Sequence, residues 1–276
     1  MAGVGSQLSQ PPLSLINMMN GMTQKYYAPM CWRALALSVL SLWPVSTAQA
    51  QVVFDATNFA QCVGCSSLSF SHTVAPGSNL AIAVAGLVYE ASTSYDSVTG
   101  ITYNAVPLTQ KCNNTTSGTV PHKDSGWWYL AGPSTGANTV TITASGAVSA
   151  LLGGSISASG VDQSAPMGAC ATANGSSTTP SVAVTAATGD LVLDGGVIDH
   201  VGTLTVGSGQ TERWNIIDPN GFVKFFGSTE PGASSVTMDW TNSSGTPNWI
   251  TTGSSLKQAA AGATVVPLRS LLGVGY

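Results

Sequence analysis

Few residues in this chain are equipped for chemistry. Glu90, Glu212 and Glu230 are its only glutamates, and a glycoside hydrolase needs two carboxyls flanking one bond. Glu212 and Glu230 are candidates to meet across paired strands. Their surroundings, Gln210-Thr211-Glu212-Arg213 and Ser228-Thr229-Glu230-Pro231-Gly232, read instead as a strand end and a turn, with Arg213 and Lys224 at hand as counter-ions. Asp124-Ser125-Gly126 has the wording of a serine nucleophile, but Lys123 and Trp127 flank it wrongly and the chain holds no Gly-x-Ser-x-Gly elbow. Phosphate loops, metal-binding His pairs and dinucleotide fingerprints are likewise missing from the sequence. No enzyme, cofactor or metal is therefore expected, and a glycoside-active hydrolase is kept as the catalytic alternative.

Binding chemistry has better material. Trp127, Trp128 and Tyr129 are consecutive, so on a strand Trp128 takes the face opposite to the other two. An exposed indole stacks on the C–H face of a sugar ring while amides and carboxylates bind its hydroxyls. Trp128, Trp214, Trp240 and Trp249, with Asn215, Asp239 and Asn248 beside them, are the candidate platform. Filling the space between sheets is the competing use for each indole. His72 shares an alternating face with Leu68 and Phe70 and reads as a core histidine. His122 and His200 each have an acid close by, Asp124 and Asp199. Asp190, Asp194 and Asp199 offer oxygen ligands but match no calcium-loop spacing.

Composition limits the rest. Of 276 residues only 8 are basic and 12 acidic, a charged fraction of 7% against about 25% in ordinary domains. The net charge of −4 provides no positive field for nucleic acid. Polarity comes from 35 Ser and 30 Thr, with 31 Gly for turns. Residues 30–50, MCWRALALSVLSLWPVSTAQA, have one Arg, an apolar run from Ala34 to Trp43 and small residues ending at Ala50, the form of a secretory signal. Cleavage there removes Lys25 and Arg33 and leaves 6 basic against 12 acidic residues. No transmembrane segment is expected in the mature chain. Cys62, Cys65, Cys112 and Cys170 then lie in an exported protein, where an even count implies two disulfides with three possible pairings.

Period-two alternation recurs along the body. It places Leu68, Phe70, His72 and Val74 on one face, and likewise Val140 with Ile142, Val182 with Val184, Leu191 with Leu193, Leu204 with Val206, and Val236, Met238 and Trp240. Turn signals separate these runs at 75–79, 132–136, Asn174-Gly175, 218–221 and Pro231-Gly232. No helical periodicity is sustained. The expected fold is all-β, a two-sheet antiparallel β-sandwich of jelly-roll or immunoglobulin-like form, preceded by a signal peptide. About a dozen strands fill one domain at 51–258; two small sandwiches meeting near 172–180 are the alternative. Residues 1–29 read as an unstructured or mis-started extension. Residues 259–276 read as an Ala/Gly joint with a short apolar tail.

The succession SLSFSHTVAPGSNLAIAVAG, VTGITYNAVPLTQ, WWYLAGPSTGANTVTITAS, SISASGVDQSAPMG, SVAVTAATGDLVLDG, GQTERWN, GSTEPGASSVTMDW and SLK resembles a family of uncharacterised β-sandwich proteins of bacteria and phages, often secreted or appendage-associated. The resemblance covers nearly all of 66–257. It implies a fold and an exterior location and carries no catalytic residues. The function expected is a non-catalytic secreted module acting in adhesion or carbohydrate binding, with glycan or cell-surface polysaccharide as partner. The alternative is a structural subunit of a virion or surface appendage, with self-assembly or virion partners.

Overall fold

A computed structural model describes residues 51–93, 95–116, 120–200 and 202–260. The expected signal peptide at 30–50, the expected extension at 1–29 and the tail beyond 260 lie outside the described residues. Seventeen strands and no helix are present among them. Where alternation predicts two sheets, there are four, all antiparallel. The difference has one cause, which is that the central strands of two sheets are buried on both faces.

In the first half of the body, strands Val53–Cys62 (β1), Ala150–Ser159 (β9), Ala81–Glu90 (β3), His122–Ala131 (β7) and Thr109–Thr115 (β6) form an inner sheet in that order. Cys65–Val74 (β2), Gly136–Val148 (β8), Val98–Tyr103 (β4) and Val106–Pro107 (β5) form an outer sheet. The second half repeats the plan. Its inner sheet runs Ala171–Ser176 (β10), Asn248–Leu256 (β17), Leu191–Asp199 (β12), Val223–Pro231 (β15) and Thr211–Ile217 (β14). Its outer sheet runs Ser181–Val184 (β11), Val236–Asn242 (β16) and Leu204–Val206 (β13).

The two halves correspond strand for strand, β1-β9-β3-β7-β6 with β10-β17-β12-β15-β14 and β2-β8-β4 with β11-β16-β13, β5 being extra. Each also carries a β-bulge at the same place, between Gln110 and Cys112 in β6 and between Glu212 and Trp214 in β14. The inner sheets stack face to face in reversed order, with β3 against β12, β7 against β17, β6 against β10 and β1 against β14. The halves are thus related by an approximate two-fold through the middle of the stack.

Outer strands show the expected alternation. Val140 and Ile142 are buried while Thr139 and Thr143 are exposed, and Ser69 faces Thr141 across the ladder with their hydroxyls 3.0 Å apart. The inner strands β3, β9, β12 and β17 are buried along almost their whole length, so Leu191 and Leu193 do not lie on a half-wet strand. Apolar residues on both faces then read as continuous runs, such as Ala81 to Tyr89.

Ala81, Ala83 and Ala85 face the partner sheet, and Trp127 and Trp214 fill the space that these small residues leave. The two rings lie 6.1 Å apart. Trp214 presses on Gly154 and Gly227, where an added Cβ would collide with the indole. Asn174-Gly175 lies inside β10 and makes no turn, because Gly175 yields its side-chain space to Trp249; a Cβ there would come within 2.9 Å of the ring.

The cysteines pair as Cys62–Cys65, closing the β1–β2 turn, and Cys112–Cys170, joining β6 to the segment before β10. No helix among the described residues is long and apolar enough to cross a membrane.

Two outcomes follow. Gly227→Ala should destabilise the protein in urea by about 1–3 kcal/mol through overpacking, whereas Gly100→Ala, with nothing near its Cβ position, should be nearly neutral. With sequence separations of 3 and 58, loop closure predicts losses of about 2 kcal/mol for Cys62→Ser/Cys65→Ser and about 4 kcal/mol for Cys112→Ser/Cys170→Ser. Equal losses in the two double variants, or in the two glycine variants, would contradict these assignments.

Candidate functional site

A groove of about 570 Å³ opens where the end of β6 and the start of β7 meet β10 and β17. Thr115, Asn174 and Asn248 stand exposed around it, and Lys123 and Trp249 form buried parts of its wall. Extended strands place these groups: Asn174-Gly175 on β10 pairs with Ile250 and Trp249 on β17.

Lys123 Nζ makes an ion pair with Asp199 Oδ1 at 2.8 Å. The other oxygen of Asp199 accepts from the backbone N–H and Nδ2 of Asn248, at 3.1 and 3.2 Å. Both charges are thereby neutralised locally, and Asn248 is held with its amide nitrogen committed and its amide oxygen available to a ligand. Trp249 donates its Nε1–H to Ser177 Oγ at 3.0 Å. The groove therefore offers amides, hydroxyls, the apolar surface of exposed Val120 and of Pro121, and part of the Trp249 ring, with little net charge.

Of the sequence-predicted platform, Trp249 and Asn248 border this groove. The other indoles do not join them. Trp128, Trp214 and Trp240 are 3%, 2% and 1% exposed and fill three different cores, because each sits on an inner strand or on the inward face of an outer one. None presents a ring to solvent. Asn215 donates to Leu204 O and Glu212 Oε2, and Asp239 accepts from Gln210. Both lie away from the groove lining. Among the described residues the most exposed aromatics are Tyr95 and Phe222, which alternation does not single out because both lie in connecting segments.

The remaining candidates serve the fold. His72 is a core histidine with both ring nitrogens engaged, by Ser155 Oγ at 2.8 Å and Ser157 Oγ at 2.9 Å. Burial lowers its pKa to about 4, opposed by Asp55. Asp194 accepts from the Ser228 N–H and hydroxyl and from Trp240 Nε1, while burial raises it to about 6. Asp190 accepts from the backbone of Ala187 and Gln258. With Asp199 bound to Lys123, the three aspartates have separate partners, and no group of three metal-ligating side chains is found among the described residues. Strands β14 and β15 do pair, but Glu212 stands opposite Ser228, two residues from Glu230. Glu230 is raised by burial and by Asp239. Glu90 accepts from Ser92 and Ser149. His200 Nδ1 lies 3.1 Å from Gly221 O.

Behind the groove wall, on the opposite face of β7 from Lys123, are His122 and Asp124. Both are buried, and their side-chain N and O atoms have no hydrogen bond of normal geometry among the described residues. Burial pushes Asp124 up to about 7 against the pull of the Val98 and Ser125 backbones, and burial likewise lowers His122. The chain matches no family model, no curated protein and no solved structure.

The folded-state pKa of Asp124 lies above its unfolded value, so the folded protein binds the extra proton. That contribution is present at low pH and is lost as pH rises towards and through about 7. Relative to wild type, Asp124→Asn should gain on the order of 2 kcal/mol between pH 5 and pH 8. His72 and Asp194 titrate alike in both proteins and cancel in the comparison. Parallel stability curves from urea unfolding would show that Asp124 does not carry this proton.

Proposed function

We propose that this protein is a non-catalytic β-sandwich module of the cell exterior that binds carbohydrate. The observation that carries this reading is the groove at Asn174, Asn248 and Trp249, where amides and hydroxyls surround an aromatic edge and the one lysine is already paired with Asp199. With Val120 and Pro121 beside these groups, such a lining suits a neutral ligand that has both hydroxyls and C–H faces better than an ion. The strand order in each half, first-last-third-sixth beside second-seventh-fourth when β5 is left out, supports jelly-roll connectivity, with the fifth strand moved beside the sixth. The signal-like sequence at 30–50, the two disulfides and the scarcity of charge support the exterior location.

Glycan-array screening followed by calorimetry of the chain from residue 51 onward tests the proposal. Asn174→Ala and Asn248→Ala should each weaken binding about tenfold, the equivalent of one hydrogen bond. Asp239→Asn, outside the groove, should leave affinity unchanged. Absence of binding across neutral and acidic glycans would overturn the reading.

A further inference from the structure

A second pocket, of about 410 Å³, is lined by Lys111, Lys257 and Ser255, together with residues 167–169 and 185–187. Its one acid, Asp190, is buried with its oxygens taken by Gln258 N, Ala187 N and Ser255 Oγ.

The cations point the same way. Five are described, and three have partners: Lys123 with Asp199, Lys224 with Gly202 O at 2.6 Å, and Arg213 with Thr229 Oγ1 and the Phe54 ring. The other two, Lys111 and Lys257, converge on this pocket without closing an ion pair among the described residues. Asp162 feels the charge of Lys257 but does not line the pocket.

The groove sits where edge strand β6 meets edge strand β10, and the second pocket lies just past the start of β10, beside Lys111 at the other end of β6. Lys111 and Thr115 lie towards opposite ends of β6, and Ser255 and Trp249 towards opposite ends of β17. At about 3.3 Å per residue the pockets stand roughly 13–20 Å apart. Between them the seam is fixed by Cys112–Cys170 and by Asn114 Nδ2, which donates to Ala173 O and Thr251 O at 3.0 and 3.2 Å. Thr172 is exposed along this stretch.

We propose that the β6/β10 seam is one elongated cleft for a linear acidic glycan, its rings at the Asn174/Asn248 end and a carboxylate or sulfate held by Lys111 and Lys257. The proposal rests on the carbohydrate reading and adds charge and direction to it. Charge complementarity carries it: on an acidic chain, the two described lysines without an ion pair line a second pocket further along the strands that carry the groove.

Calorimetry with oligogalacturonate and with sulfated dextran oligomers, each beside its uncharged methyl-esterified or unsulfated parent, tests it. At least one acidic oligomer should bind about tenfold tighter than its parent, with the advantage shrinking as salt rises. Lys111→Ala/Lys257→Ala should abolish that advantage and leave the parent's affinity unchanged; the comparison of the two acids separates carboxylate from sulfate. Equal affinities for acid and parent, or an advantage that survives in the double variant, would overturn the acidic cleft while leaving neutral glycan binding intact. Failure of every glycan would remove both readings.

Discussion

Two sheets that bury both of their faces impose the main constraint on this protein. Such a sheet has no wet side on which to place polar residues, so its strands must match one neighbour on each face. Here the facing surfaces are lined with Ala81, Ala83 and Ala85 and with glycines, and Trp127 and Trp214 fill the centre. Small residues let the sheets approach, and large rings restore the packing density that small residues alone would forfeit. The outer sheets, the seam and the groove are all placed by this central contact.

The sequence showed the outer sheets well. Alternation at 68–74, 139–143 and 236–240 corresponds to strands with one buried and one exposed face. It showed the inner sheets poorly, because a strand buried twice has no period to read, and Gly153-Gly154 or Gly195-Gly196 look like breakers unless the ring that needs their space is known. The same blindness affected the site. Trp214 and Trp249 look alike in sequence, yet one is held between sheets and the other borders a groove, a difference set by strands distant in the chain. Asn174-Gly175 has the wording of a turn and the role of a strand.

Scarcity of charge also has a structural counterpart. Between the sheets, hydroxyls take the place of ions: Ser155 and Ser157 hold His72, Ser228 holds Asp194, and Ser125 meets Thr252 at 2.7 Å. A hydroxyl both donates and accepts, so it satisfies buried polar groups without the desolvation cost of a full charge. Among the described residues, His122 and Asp124, together with Gln61 Oε1 and Trp214 Nε1, are the exceptions.

The approximate two-fold gives the molecule two versions of the same joint, one where β6 meets β10 and one where β14 meets β1. At the second, the Arg213 guanidinium lies 3.6 Å above the Phe54 ring, and Gln61 reaches Ile217 O. The two joints carry the same mechanical duty by different means: a cation on a ring clamps the β1 side, whereas a disulfide and the two Asn114 hydrogen bonds concentrate the hold on the β6 side at a few atoms and leave Thr115 and Asn174 exposed beside them.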